Sequence, residues 1–148
     1  MAARYCAANE SCRQTLRQKL FAWGAAADEA AAIVDWLVAG GYIDEERFAK
    51  AYVDSKVCYQ QWGRKKIEFQ LRGKGLDAAT IRHALQGIDE EAYLGVLANL
   101  ARTKAKSLPA ADPDNRRLRL TSYLMGRGFE YDLINNTIDD ILRERNDE

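Results

Sequence analysis

The chain has little proline, cysteine or histidine, and it lacks a long apolar run. Its 148 residues include two prolines, three cysteines and one histidine. No run approaches the roughly 20 apolar residues that a membrane-spanning helix needs, so we expect no contact with a membrane interior. The cysteines have no CxxC spacing and no apolar leader opens the chain, a combination that predicts reduced thiols in a cytoplasmic protein.

The scarcity of histidine also argues against an enzyme. His83 stands between Arg82 and Ala84, without Cys, Asp or Glu at the spacing of metal ligands. The glycine-containing stretch at 72–75 lacks the spacing of a phosphate-binding loop and the strand that precedes one. No serine or cysteine is paired with a histidine by the sequence. We therefore expect no catalytic site, no metal and no cofactor.

Positive and negative charges balance overall but are segregated along the chain. Lys plus Arg and Asp plus Glu each number 22. Seven basic residues stand against two acidic ones in 56–86, and the same ratio recurs in 99–127. Residues 129–148 reverse it, with seven acids and two arginines. Two separated basic stretches favour contact with a polyanion, although the net charge does not.

Apolar spacing predicts an all-α protein. Asp44 is a favourable N-cap and is followed by two acids, which suit the start of a helix. The next helix is expected to bury a stripe of Phe48, Ala51, Tyr52 and Ser55. After a short helix within 1–10, with Ser11 as N-cap of the next, the predicted helices are 11–23, 28–39, 44–60, 63–74, 78–87, 89–106, 115–127 and 131–146. Most large aromatic side chains are expected to pack in the core or between repeats, namely Trp23, Trp36, Tyr42, Phe48, Tyr52 and Trp62.

Three segments align without gaps and predict a tandem repeat. Gly24, Gly75 and Gly128 fall in register, as expected of left-handed residues that end a helix. The apolar residues align in the triplets Leu16, Ile67, Leu120; Leu20, Leu71, Leu124; Ala30, Ile81, Ile134; Val34, Leu85, Ile138; and Leu37, Ile88, Ile141. We expect three three-helix repeats, at 1–43, 44–88 and 89–148, stacked into an elongated, curved array. The beginning of the first repeat could lie before residue 1.

Arg13, Arg64 and Arg117 occupy one position in all three repeats. Each falls in the first turn of a helix, where a cation opposes the helix dipole, so local helix energetics do not explain them. One interpretation is a row of guanidinium groups that meets phosphate or carboxylate. The alternative is an ion pair within the chain, to acids such as Glu45, Glu46, Glu90 or Glu91.

A second candidate site lies on the predicted helix 63–74. Lys65, Phe69 and Arg72 fall on one side of that helix, opposite the apolar stripe. An aromatic ring flanked by two cations is suited to stack on single-stranded nucleic acid. The alternative is packing of Phe69 between repeats, because repeats one and three carry Phe21 and Met125 at the position of Arg72.

A third candidate is the basic rim of the irregular stretch from Ser107 to Asn115. Such a rim could meet DNA or an acidic protein groove, or it could be a solvated linker with cations at the preceding helix end. Lys74 and Arg127, beside the closing glycines, are interpreted as partners of helix C-termini. The rim consists of Arg102, Lys104, Lys106, Arg116, Arg117 and Arg119.

Two motif blocks extend along nearly the whole chain. Their residues are Gly41-Tyr42-Ile43-Asp44-Glu45-Glu46-Arg47-Phe48-Ala49, Trp62-Gly63-Arg64-Lys65-Lys66-Ile67, Leu71, Lys74-Gly75-Leu76, Asp112-Pro113, Arg116-Arg117, Tyr123-Leu124 and Arg127-Gly128-Phe129-Glu130-Tyr131-Asp132-Leu133-Ile134. These blocks resemble the RecX family. The resemblance implies a cytoplasmic regulator of RecA that binds the RecA–DNA filament and restrains its ATPase, strand-exchange and co-protease activities in DNA repair, recombination and the SOS response. Gly73 departs from the family, which usually has a longer side chain there.

Taken with this resemblance, the sequence predicts a monomeric, non-enzymatic regulator that contacts the RecA filament and single-stranded DNA, with double-stranded DNA as a further partner. Two alternatives stay open: a stand-alone DNA-binding protein, and a helical scaffold for another protein. The candidate contact residues are Arg13, Arg64, Lys65, Lys66, Phe69, Arg72, Arg116, Arg117 and Arg119.

Overall fold

The computed structural model describes residues 1–109 and 112–146, without the side chains at 7, 8, 145 and 146. All regular structure in these ranges is helical, which confirms the all-α prediction. The helices are α1 Ala2–Ala8, α2 Arg13–Ala22, α3 Ala27–Ala39, α4 Glu45–Cys58, α5 Arg64–Gly73, α6 Ala78–Gln86, α7 Glu90–Ser107, α8 Pro113–Gly126 and α9 Tyr131–Asn146.

The described chain forms two compact units. The first contains Met1–Val53 and Phe69–Gly87; the second contains Asp54–Glu68 and the described residues of Ile88–Glu148. Helices α4 and α5 each contribute residues to both units. The repeat boundaries after residues 43 and 88, and the elongated, curved shape, stay predictions.

The core of the first unit is built mainly by α2 and α3, which pack against each other. Its buried cluster has few large side chains because α3 is rich in alanine. Partly buried residues such as Tyr5, Ile33 and Val38 pack around it. The cluster contains Cys6, Leu16, Leu20, Ala30, Val34, Leu37 and Ile43.

The core of the second unit lies among α7, α8 and α9, each of which packs on the other two. Tyr93 and Phe129 are fully buried, and their ring centroids lie 5.3 Å apart. The buried apolar residues of these helices recur at three- and four-residue spacing, as a core-facing stripe requires. They are Tyr93, Leu97, Leu100, Ala101, Ala105, Leu120, Leu124, Ile134, Ile138 and Ile141.

The predicted repeat register is confirmed by burial and by backbone conformation. Of the five aligned apolar triplets, every member is buried except Leu85 and Ile88, which are partly buried. The aligned glycines have φ values of +98°, +83° and +96° at Gly24, Gly75 and Gly128. Residues other than glycine rarely adopt this conformation. Glycine therefore lets the second helix of each repeat end sharply and the third helix begin.

The predicted buried stripe of α4 is wrong by one position. Ala49, Val53 and Val57 are buried, whereas Ala51 and Ser55 are exposed. Phe48 and Tyr52 lie at the border, partly buried, with ring centroids 5.8 Å apart. Apolar residues cover much of this helix, so their spacing is compatible with more than one buried face. The prediction selected the face that carries the large rings of Phe48 and Tyr52.

Two further local predictions differ from the structure. Cys12, not Ser11, is the N-cap residue of α2, although the Ser11 side chain is buried and its hydroxyl donates to the Cys12 carbonyl. Trp23, Trp36 and Tyr42 are exposed rather than packed in a core. The alanines that follow Gly24 bury too little surface to cover these rings.

Gly73 offers a test of how α5 ends. It is exposed, and a Cβ added there would meet nothing within 4 Å. We expect Gly73→Ala to raise the free energy of unfolding by about 0.5–1 kcal/mol, because alanine restricts the unfolded chain and favours the helix. Urea unfolding followed by circular dichroism measures this.

The matched control is Gly24→Ala, which also has open space around the new methyl group but has a φ of +98°. That variant should lose stability, because an L-residue is strained in this conformation. Equal effects of the two substitutions would contradict this account of the helix ends.

Candidate functional site

Arg64, the arginine of the second repeat at the position that the three repeats share, lies in a network inside the second unit. The Arg64 guanidinium lies between two carboxylates: it donates a hydrogen bond to Glu130 at 2.7 Å and another to Glu90. Its carbon lies 3.9 Å from the centroid of the Tyr93 ring, and its backbone N–H donates to the Tyr93 hydroxyl at 3.1 Å. That hydroxyl donates to Glu130 at 2.5 Å. The polar groups of Arg64, Glu90, Tyr93 and Glu130 are therefore hydrogen-bonded within one network.

The protonation states in this network follow from its burial. Burial, followed by the hydrogen bond to Glu130, raises the pKa of Tyr93 above its ordinary value, so its hydroxyl remains a donor. Burial alone would lower the pKa of Arg64, but the hydrogen bonds to Glu130 and Glu90 outweigh it, and the pKa is raised. The guanidinium is therefore charged and compensated within the chain.

The two equivalent arginines are also paired. In the first unit, the side chain of Arg13 lies 3.6 Å from Glu45, and its backbone N–H donates to the same carboxylate at 3.3 Å. In the second unit, Arg117 donates to Asp139 at 2.9 Å and to the side-chain oxygen of Asn135 at 3.4 Å. The pairing of Arg13 with Glu45 repeats that of Arg64 with Glu90.

Of the two interpretations of this arginine row, the ion pair within the chain is the one present. Each guanidinium has a carboxylate partner, so the row is not a set of uncompensated cations. Glu45 and Glu90 were among the expected partners; Glu130 and Asp139 were not. Whether any of the three also contacts a partner molecule stays a prediction.

A backbone contact places Arg64 beside its partners. The N–H of Gly63 donates to the Arg127 carbonyl at 2.8 Å, and the N–H of Lys65 donates to the Gly128 carbonyl at 3.0 Å. A Cβ at Gly63 would overlap the backbone of Gly128, and a Cβ at Gly128 would overlap Lys66. Glycine at both positions therefore allows the start of α5 to approach the α8–α9 turn.

Arg127 has a different partner from the one predicted. Its guanidinium donates to the carbonyls of Gln60 and Gln61, in the α4–α5 linker. Gln61 has a φ of +57°, a rare conformation for a residue other than glycine. Arg127 therefore holds this linker as well as closing its own helix, and its helix-terminus interpretation was incomplete.

The outward side of α5 carries the second candidate site. Phe69 is 74% exposed, so its predicted packing between repeats is not seen within the described chain. Lys65 stands one turn before it and Arg72 one turn after it, both exposed, and Lys65 makes no ion pair with any described residue. Lys66 instead places its ammonium 4.5 Å from the Trp62 ring centroid.

The cations around the α7–α8 connection are largely engaged. Arg102 pairs with Glu144 at 3.0 Å, and Arg116 donates to the Ala105 carbonyl at 2.6 Å near the end of α7. Lys104 lies 4.8 Å from the Tyr123 ring centroid. Arg119 is exposed and has no ion pair within the described residues. The linker is shorter than predicted because α8 begins at Pro113, and residues 110 and 111 lie outside the description.

Sequence reasoning missed three contacts of this region: those of Tyr93, Glu130 and Arg127. Tyr93 was visible as the aromatic that follows Asp89 at the same step as Phe48 follows Asp44, but its hydroxyl partner was not. Glu130 comes two residues after the closing glycine, yet nothing in its spacing pairs it with a residue 66 positions earlier. Asp147 and Glu148, the last two acids of the acidic stretch 129–148, lie outside the described residues.

The described residues hold neither a candidate metal cluster nor a membrane-crossing helix. Among them, no group of three or more His, Cys, Asp or Glu side chains is placed to bind a metal ion. None of the helices traced in these ranges combines the length and the apolar character needed to cross a bilayer. The three cysteines are free thiols, with Cys6 and Cys12 buried and Cys58 exposed.

The Arg64 network can be tested by truncation. We expect Arg64→Ala to lower the free energy of unfolding by about 2–3 kcal/mol, because Glu130 and the buried Tyr93 hydroxyl lose their compensation. Arg13→Ala is the matched control at the same repeat position. Its side chain is 56% exposed, against 22% for Arg64, so its loss should stay below about 1 kcal/mol. Urea unfolding of both variants measures the difference, and equal losses would contradict a structural role specific to Arg64.

Comparisons with known proteins identify the chain's relatives. Residues 44–85 match the second three-helix domain of RecX, and residues 91–138 match the third. Regulatory protein RecX of Mycolicibacterium vanbaalenii is 33% identical over 132 residues, which cover 85% of this chain and 72% of that protein. Regulatory protein RecX of Chromobacterium violaceum is 31% identical over 137 residues, covering 93% and 86%.

A solved structure supports the fold independently. The crystal structure of RecX from Lactobacillus salivarius matches with a TM-score of 0.82 and 23% identity, covering 94% of this chain and 90% of that one. At this identity the likeness concerns the fold. The two domain matches span most of the second and third repeats, and the relatives match most of the chain at more than 30% identity. This chain therefore belongs to the RecX family of regulatory proteins.

Proposed function

We propose that this chain inhibits the RecA recombinase by binding the RecA–DNA filament and restraining its ATPase, strand-exchange and co-protease activities. The proposal rests on membership of a family of regulatory proteins. The chain would act by binding alone, as a cytoplasmic monomer without a cofactor. Its contacts would be with the filament and with single-stranded DNA, and double-stranded DNA is a further proposed partner.

The observation that carries the proposal is the outward side of α5. Phe69 is 74% exposed and lies between Lys65 and Arg72 on successive turns of one helix. An exposed ring can stack on an unpaired base, and neighbouring cations attract the phosphates on either side of it. A large apolar ring left in water gains from such a partner, since its burial removes apolar surface from solvent.

The other candidate residues divide into two groups in this proposal. Arg119 is exposed and without an ion pair among the described residues, so we assign it a phosphate contact of its own. Arg13, Arg64 and Arg117 have carboxylate partners. We therefore assign them a structural role, which is to position the second helix of each repeat. Lys66 and Arg116 are engaged by Trp62 and by the Ala105 carbonyl, and we give them the same positioning role.

A bound regulator would restrain the filament by holding its subunits together. The repeats supply several binding surfaces on one chain, and linked surfaces bind neighbouring subunits more tightly than separate ones would. ATP turnover requires subunits to move against each other, and a regulator that bridges them opposes this movement. Inhibition follows without any catalytic group on the chain.

The first test is RecA ATP hydrolysis on single-stranded DNA, measured with increasing amounts of this chain. We expect hydrolysis to fall and to reach a plateau as the regulator saturates the filament. Unchanged hydrolysis at saturating protein would overturn the inhibitory proposal, and a rise would replace it by stimulation.

The same samples separate a filament regulator from a stand-alone DNA-binding protein. Binding to bare single-stranded DNA and to RecA-coated DNA is compared across a salt series. A regulator should prefer the coated DNA. Tighter binding to bare DNA, with an affinity that falls steeply as salt rises, would favour the stand-alone binder.

The α5 site is tested by Phe69→Ala, which should weaken binding to single-stranded DNA about tenfold, since one stacked base contributes about 1–3 kcal/mol. Its free energy of unfolding should change by less than about 0.5 kcal/mol, because the ring is exposed. Fluorescence anisotropy of a labelled oligonucleotide measures the binding.

The matched control is Met125→Ala, which removes an exposed apolar side chain from the second helix of the third repeat. The residues one turn before it are Thr121 and Ser122, so no cation flanks Met125 as Lys65 flanks Phe69. This variant should bind like the parent chain. Equal losses for the two variants would remove α5 from the proposed interface.

A further inference from the structure

The first unit contains an open groove walled by two tryptophans. Its volume is about 600 Å³, and it lies between α1, the end of α2 and one side of α3. Trp36 is 62% exposed and Trp23 is 41% exposed, although both belong to the residue types that folding normally covers. The floor is apolar, with Leu20, Ala25, Ile33 and Leu37 among its residues.

Both indole rings are held in place from the side. Trp36 stacks on Tyr42, with ring centroids 5.8 Å apart and an interplanar angle of 17°. Trp23 meets the edge of Tyr5, with centroids 6.1 Å apart and an angle of 77°. Aromatic pairs of these geometries are stabilising. The walls of the groove are therefore oriented before anything binds, which lowers the entropic cost of binding.

The charge of the groove selects its occupant. Glu29 is exposed, lines the groove, and makes no ion pair with the described part of the chain. It is the one acidic or basic side chain among the described lining residues. Helix α3 carries Asp28, Glu29 and Asp35 and no Lys or Arg. Phosphate would be repelled here, and a wholly apolar occupant would take water from the Glu29 carboxylate without replacing it.

A cation on an apolar stem satisfies all of these features. The faces of indole rings attract cations, and a carboxylate beside them completes the charge pairing. The alkyl stem of lysine or arginine can cover the apolar floor while its charged end reaches Glu29. The groove is larger than one side chain needs, so apolar neighbours from the same segment can enter with it.

We propose that this groove binds a lysine or arginine side chain carried on an apolar segment of a partner protein. The site uses none of the residues of α5, and it does not depend on the proposed inhibition of RecA. The groove would bind a positively charged protein segment, whereas the outward side of α5 is proposed to bind negatively charged phosphates.

The test is a titration of the full ¹⁵N-labelled chain with three capped peptides, Leu-Arg-Leu, Leu-Gln-Leu and Leu-Glu-Leu. Two-dimensional NMR resolves the indole N–H signals, and Trp23→Phe and Trp36→Phe assign them. We expect the arginine peptide to shift the signals of Trp23 and Trp36 but not that of Trp62. It should bind about fivefold or more tightly than the glutamine peptide, from one cation–π contact and one ion pair, and the glutamate peptide should bind least.

Glu29→Gln should remove the ion-pair part of this preference, so that the arginine peptide binds the variant more weakly than the parent chain but still more tightly than the glutamine peptide does. Asp35→Asn is the matched control, because it removes an acid from the same helix that does not line the groove, and it should bind as the parent does. Trp36→Ala should abolish the shift at Trp23 while the helical circular dichroism signal is retained.

Four results would overturn the proposal. These are equal binding of the arginine and glutamine peptides, no effect of Glu29→Gln, equal effects of Glu29→Gln and Asp35→Asn, and shifts caused by a different occupant. Indole signals that move on dilution without peptide would indicate a second copy of this chain in the groove. Signals that move with an oligothymidine would indicate nucleic acid.

Discussion

The second unit depends on one close approach between two stretches of backbone. Gly63, just before α5, and Lys65, in its first turn, donate backbone hydrogen bonds to the turn that joins α8 to α9, and neither Gly63 nor Gly128 has room for a Cβ. Gly128 also has a φ of +96°, so it meets a conformational and a steric requirement at once. Backbone contacts of this kind tolerate little adjustment, and the positions of Arg64 and Tyr93 follow from them.

The place of a cation on its helix decides whether it is compensated within the chain or remains available. The three aligned arginines, which stand near the start of the second helix of each repeat, form ion pairs with carboxylates of the same unit. Cations on the outward side, such as Lys65 and Arg119, have no such neighbour among the described residues. A basic sequence stretch therefore contains both structural and partner-facing charges, and position on the helix separates them.

The first unit uses the same design with weaker contacts. A Cβ at Gly75 would lie 2.9 Å from the side-chain oxygen of Gln14, where the second unit has backbone against backbone. Cys12 contributes a long contact of 3.9 Å to the Lys74 carbonyl. Ala30 and Val34 of α3 bury less apolar surface than the aligned Ile134 and Ile138 of α9, and the rings of Trp23 and Trp36 remain exposed. The difference leaves this unit with a groove.

The sequence by itself determined the helices, their register and the left-handed glycines, because these depend on local spacing and on backbone sterics within a few residues. Helical periodicity left open whether Phe69 is exposed or packs against another repeat, and the structure shows its ring 74% exposed. Only the tertiary structure decided that Arg64 bonds Glu130 and that Arg127 holds the α4–α5 linker. Those partners are more than 60 residues apart in the chain, and no local pattern encodes which of many carboxylates or carbonyls a long, flexible arginine side chain will reach.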